Sequence, residues 1–139
     1  MSAFNKFSDF IEQLGLKNHN LNTDTLKVML TNEQPLATDT VKGDMVEITA
    51  QYGYPAGGTD IQNLYTESSG TGTMTATDVV FTGTAGGSFG PFRFAVVYND
   101  TGATKYLVCW WDYGSSISCN GDSGETFTVD FQASVLTLA

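Results

Sequence analysis

The chain has 139 residues, enough for one domain whose single core needs no cross-links. A formal charge of −9, with six scattered Lys and Arg, argues against a phosphate-gripping nucleic-acid surface and predicts an acidic, solubilising exterior. A hydrophobic share of 41% excludes wholesale disorder, and fifteen glycines with 15% charged residues point to short strands joined by tight turns.

Residues 1–16 predict a helix. Phe4, Phe7, Ile11 and Leu14 recur at spacings of three and four, Phe10 widens the stripe, Ser2 can cap the start, and Gly15 can end it. So short a helix is marginal alone, so its aromatic face must cover its own sheet or dock on a partner. This segment has no apolar run of the kind a secretory signal carries, and no stretch nears the roughly 18–20 apolar residues of a membrane helix. The expectation is a protein made in a cytoplasm, with no membrane partner.

Residues 25–31 follow as a strand, with Leu26, Val28 and Leu30 alternating against Lys27 and Met29. Residues 32–40 read as a loop and 45–50 as a weaker strand. Tyr52-Gly53-Tyr54-Pro55-Ala56-Gly57-Gly58 is a permissive loop that offers two tyrosines as contact residues. Residues 62–67 and 73–76 pair across a turn at 68–72, and 79–82 is another short strand. Residues 91–99 are apolar on both alternating sets, as suits a central strand covered on both faces. Residues 105–112 match them, ending before the break at Tyr113-Gly114. Residues 125–131 alternate cleanly, with Phe127, Val129 and Phe131 inward, and 135–138 close the chain. Eight or nine such strands predict a mostly β protein, an antiparallel β-sandwich or jelly-roll-like domain with a short N-terminal α-helix. Residues 1–139 form one domain in this reading, with the helix at 1–16 and the sandwich over 24–139.

Catalytic and metal-binding patterns are sparse. His19 is the only imidazole and sits in a polar loop, which predicts a solvated side chain. No G-x-S-x-G elbow or phosphate-binding loop occurs. The carboxylates Asp39, Asp44, Glu47, Asp60 and Asp78 fit no known calcium spacing and read as surface loop acids. No catalytic residue, cofactor or metal site is predicted, and the chain reads as a binder rather than an enzyme. Carbohydrate stacking on Tyr52, Tyr54 and the tryptophans, or hydrolysis by an unidentified carboxylate pair, remain the alternatives. Cys109 and Cys119 are expected as free thiols in a reducing compartment. Arg93, inside the two-sided strand, needs a partner if buried, and Asp112 on the neighbouring strand can supply a two-pronged bond. Trp110 and Trp111 must face opposite ways, leaving Trp110 as a candidate contact residue beside Phe4 and Phe7.

Three segments carry a resemblance: Gly90-Pro91-Phe92-Arg93-Phe94-Ala95-Val96-Val97-Tyr98-Asn99-Asp100-Thr101, Trp111-Asp112-Tyr113-Gly114-Ser115-Ser116, and Gly124-Glu125-Thr126-Phe127-Thr128-Val129-Asp130-Phe131. With Ser2-Ala3-Phe4-Asn5-Lys6-Phe7 and residues 24–32, they resemble a group of small tailed-bacteriophage virion proteins. Residues 51–75 lie outside the resemblance. It implies a structural component of the virion, assembled in the host cytoplasm. A capsid decoration (cement) protein comes first, and a collar- or tail-associated protein second. The implied partners are the major capsid protein or other virion proteins, bound in many copies, with a homo-oligomer also open.

Overall fold

Residues 3–139 are described by a computed structural model, and they are mostly β, with antiparallel sheets and one short helix near the N-terminus. The main sheet has five strands in the order β1-β8-β7-β2-β3: β1 Phe4–Lys6, β2 Leu26–Thr31, β3 Thr59–Asp60, β7 Ser88–Asn99 and β8 Leu107–Asn120. Against it lie a three-stranded sheet, β4 Leu64–Ser68, β5 Thr71–Thr75 and β10 Leu136–Leu138, and a two-stranded one, β6 Val79–Thr82 with β9 Thr126–Val129. The arrangement is sandwich-like, as the alternating pattern predicts.

The N-terminus differs from the expectation. Phe4, Asn5 and Lys6 pair antiparallel with Trp111, Trp110 and Cys109, so this stretch is strand rather than helix. Pairing with β8 satisfies backbone groups in both strands at once, whereas an isolated short helix gains little. The helix α1 spans only Asp9–Gly15, and its inward residues are Phe10 and Gln13, not Ile11. Lys17, rather than Gly15, takes the left-handed conformation (φ 69) that ends it. The amides of Asn18 and Lys17 then turn back to the carbonyls of Gln13 and Leu14, a Schellman closure. The proposed cap Ser2 lies outside the described residues.

Two apolar layers flank the main sheet. On one face Leu26, Val28 and Leu30 meet Ala95, Val97 and Trp111, and this layer extends to Met74, Phe81 and Val129 of the opposing strands and to Phe131 just beyond β9. On the other face Met29, Phe94, Val96, Tyr98, Leu107 and Trp110 are sealed by Phe7 and Met45. Leu107 and Trp110 share a face although three positions apart. A bulge explains it: Val97 pairs with Cys109 and Tyr98 with Leu107, so Val108 is the extra residue.

The second layer is covered by residues 36–45, a segment that overlaps the expected loop at 32–40 and reaches the first residue of the weak strand expected at 45–50. Three backbone bonds strap this segment across the sheet: Ser8 N–H to Ala37 O (2.9 Å), Leu107 N–H to Thr40 O (3.0 Å) and Lys42 N–H to Lys105 O (2.8 Å). The weak strand predicted at 45–50 is reduced to a single bridge between Thr31 and Glu47. β8 does not stop at Tyr113-Gly114 but runs on to Asn120, its outer half pairing with Ser88 to Phe92 of β7 and adding Ile117 and Cys119 to the first apolar layer. Cys109 and Cys119 are both buried and free. Ten positions apart on one extended strand, at up to roughly 3.3 Å per residue, they are held well beyond disulfide reach.

Candidate docking surface at the N-terminal strand and helix

The contact residues expected from sequence separate into two groups. Phe7, Tyr54 and Trp110 are buried and offer no face to a partner. Phe7 packs on Trp110 at 4.6 Å between ring centroids, because the β1 pairing carries the chain directly over the second apolar layer. Tyr54 is held inside by its own hydroxyl, which donates to Glu47 and accepts the Leu30 N–H (3.0 Å). Phe4 and Tyr52 remain exposed, at 41% and 39%. They are not neighbours in the sheets: Phe4 is on the edge strand β1, whereas the Tyr52 ring lies against Gly86 and Gly87. A row of sugar-stacking aromatics is therefore not assembled, since Tyr54, Trp110 and Trp111 all point inward.

Around Phe4 a different surface forms. β1 is the last strand of the main sheet and β10 the last of the three-stranded sheet, so each has one unpaired edge. Phe4, Lys6, Phe10, Ile11, Leu136 and Leu138 line a shallow, mainly apolar groove there. Ile11 is 48% exposed and Leu16, just beyond the helix, 62%. Sequence periodicity placed Ile11 on the inward face, because it counted helical turns from Phe4. Starting the helix at Asp9 turns Ile11 outward.

Arg93 and Asp112 form the two-pronged pair, with Nε to Oδ1 at 2.8 Å and Nη2 to Oδ2 at 3.0 Å. Their setting differs from the expected buried one, because the side chains are 40% and 34% exposed. The buried run of β7 begins only at Phe94. The Arg93 guanidinium, helped by the Gly114 N–H, holds the Asp112 carboxyl below its ordinary range. The pair ties β7 to β8 at the surface, where solvent screening keeps its contribution small.

His19 is the largest departure in chemistry. The loop position predicts a solvated ring, yet it is 4% exposed, tilted against Phe10 and edge-on to Tyr106. Burial pushes its pKa below the ordinary value, against the pull of Asp24 and Asp9. No sequence signal announced this, since Asn99 and Tyr106, which close over the ring, are distant in the chain.

The loop acids act on backbone. Asp44 Oδ2 accepts the amides of Thr40 (2.9 Å) and Val41 (3.1 Å), Asp39 Oδ2 that of Leu36 (2.9 Å), Asp60 Oδ1 that of Gln62 (2.8 Å), and Asp78 Oδ1 that of Phe131 (2.9 Å). Each closes a turn or pins a strand end, a use of short carboxylates common in loops. Among the described residues, no group of three or more His, Cys, Asp or Glu is placed to hold a metal ion.

The chain has no significant match among protein-family models, curated proteins or solved structures.

Proposed function

We propose that the chain is a structural binding protein of a tailed-phage virion, a capsid decoration protein that docks on the outer shell through its β1–α1 face and stabilises capsomer contacts. The observation that carries this reading is the groove of Phe4, Ile11 and Leu138 between the two open strand edges, β1 and β10. An unpaired edge offers backbone donors and acceptors to a second chain, and apolar side chains beside it supply the area to bury. The phage-like segments at 90–101, 111–116 and 124–131 support the choice of a virion as the setting. The acidic exterior, −9 overall, disfavours self-association and so favours a partner of different composition, such as the major capsid protein.

The test begins with purified particles of the encoding virus, in which mass spectrometry should find stoichiometric copies. A double variant, Phe4→Asp with Ile11→Asp, should fold normally yet fail to co-sediment with particles stripped of the protein. Particles without the protein, or a variant that binds as the wild type does, would refute the proposal. Density at the collar or tail instead of the shell would replace decoration with attachment there.

A further inference from the structure

We infer that residues 16–25 form an acid-released latch, closed on the end of β7 only while His19 Nδ1 is unprotonated. The latch is built on Asn99, which is almost wholly buried. Its Oδ1 accepts the Thr101 N–H (2.9 Å), which fixes the amide so that Nδ2 faces the loop. From there Nδ2 reaches His19 Nδ1 (3.1 Å), Asp24 Oδ2 (2.8 Å) and the Asn18 carbonyl (3.3 Å). The amide's two hydrogens are shared among these three acceptors; with an N–H facing it, Nδ1 is assigned as an acceptor, which puts the proton of the neutral ring on Nε2. Nε2 is buried and has no hydrogen-bond partner within the protein.

Adding a proton places an N–H on Nδ1, directly against the Asn99 N–H. Two donors cannot share that contact. The cation is also drawn towards Asp24, whose Oδ2 already holds both Asn99 Nδ2 and the Asn20 N–H (2.8 Å). Either the ring leaves its place or Asn99 releases Asp24, and both outcomes undo the hub. The surroundings do not rescue the charged form. Asp9 on α1 and Asp24 in the loop favour it, and Lys17 in the loop lines the same cleft. Phe10 on α1 and Tyr106 before β8 enclose the ring, while β4 and β10 bring Tyr65 and Leu138 to the same cleft. Asp100, next to Asn99, is engaged by Lys27 and Lys105. Desolvation outweighs the two carboxylates, so the closed loop resists the proton and acid favours the opened form.

Hydrogen exchange on the intact protein, corrected for intrinsic rates, tests the latch at about pH 7.5 and about pH 5.5. Protection of amides in 16–25 should fall by up to about tenfold at the lower pH, with the β7–β8 hairpin unchanged. His19→Gln keeps an acceptor for Asn99 but does not titrate, so its protection should be the same at both values. A nitrogen-detected titration of the wild type should show the Nε2–H tautomer at neutral pH and a midpoint below that of a free histidine. Equal wild-type protection at both values would overturn the inference, as would the same acid loss in His19→Gln. Should that variant not fold, the titration decides: a proton on Nδ1 at neutral pH, or an unshifted midpoint, sinks the latch.

Discussion

The Tyr54 hydroxyl donates to the Glu47 carboxylate at 2.5 Å, and the same oxygen accepts the buried amide of Leu30. Glu47 also receives the Gly57 N–H (2.7 Å) and Lys42 Nζ (3.1 Å), while the Tyr98 hydroxyl donates to the Gly57 carbonyl (2.7 Å). Two long loops are thereby fastened to the central strands through one phenol and one carboxylate. Burial and the adjacent carboxylate hold the Tyr54 phenol protonated well above its ordinary pKa, so the donor persists at every working pH. Tyr54→Phe keeps the packing against Phe81 and Phe89 but leaves the Leu30 amide without its partner. The expected loss is about 1–3 kcal/mol in chemical denaturation. A loss under about 0.5 kcal/mol would mean the amide finds another acceptor.

Gly58 and Gly102 share a left-handed backbone, with φ of 77 and 82, but differ in their surroundings. A Cβ on Gly58 would collide with the Val28 carbonyl, part of β2 backbone that cannot yield, whereas nothing lies within 4 Å of one on Gly102. Gly102→Ala should cost about 1–2 kcal/mol from backbone strain alone. Gly58→Ala should cost about 3 kcal/mol or more, or prevent folding. Equal denaturation midpoints for the two variants would contradict the close approach of the 57–58 loop to β2.

Trp111 and Phe4 touch edge to face, with centroids 6.0 Å apart, yet only one of them belongs to the core. Trp111→Ala should destabilise by about 3–5 kcal/mol, the range for emptying a packed aromatic site. Phe4→Ala should cost less than about 1 kcal/mol, because much of the ring is already in water. Thermal melts of the two variants distinguish these outcomes, and a large loss from Phe4→Ala would place it in the core.

Asp44 and Asp112 both titrate below the ordinary carboxylate range, Asp44 through the amides of Thr40 and Val41 and Asp112 through Arg93. A depressed folded pKa gives stability that is present above the unfolded value, about 3.9, and is lost as pH falls through the folded value. Thermal midpoints should therefore decline below about pH 4. Asp44→Ala should be less stable than the wild type at neutral pH, with the gap closing as acid protonates the wild-type carboxyl. A gap of constant size down to about pH 2 would exclude Asp44 as a contributor.

Local alternation was enough to reveal the central hairpin. Phe94 to Tyr98 and Leu107 to Trp111 are apolar on both sides in sequence and buried on both sides in the fold. Period-two patterning reports burial wherever a strand already has its neighbours, and the glycine-rich turns at 69–70, 83–87 and 121–124 mark where strands end, although Gly114 lies inside β8. The Arg93–Asp112 contact belongs to the same class, because it follows from two adjacent strands.

Tertiary structure decided what those patterns do not encode. Phe4 to Lys6 have helical spacing to Ile11 and Leu14, yet β8 offers an open edge more than a hundred residues later, and pairing with it outweighs a marginal helix. That single choice buries Phe7, turns Ile11 outward and shapes the groove. The Val108 bulge, the strap at 36–45 and the enclosure of His19 by Asn99 likewise join distant parts of the chain. Backbone hydrogen bonds and desolvation act between whichever groups meet in space, so a linear pattern shows which residues seek burial but not which partner covers them.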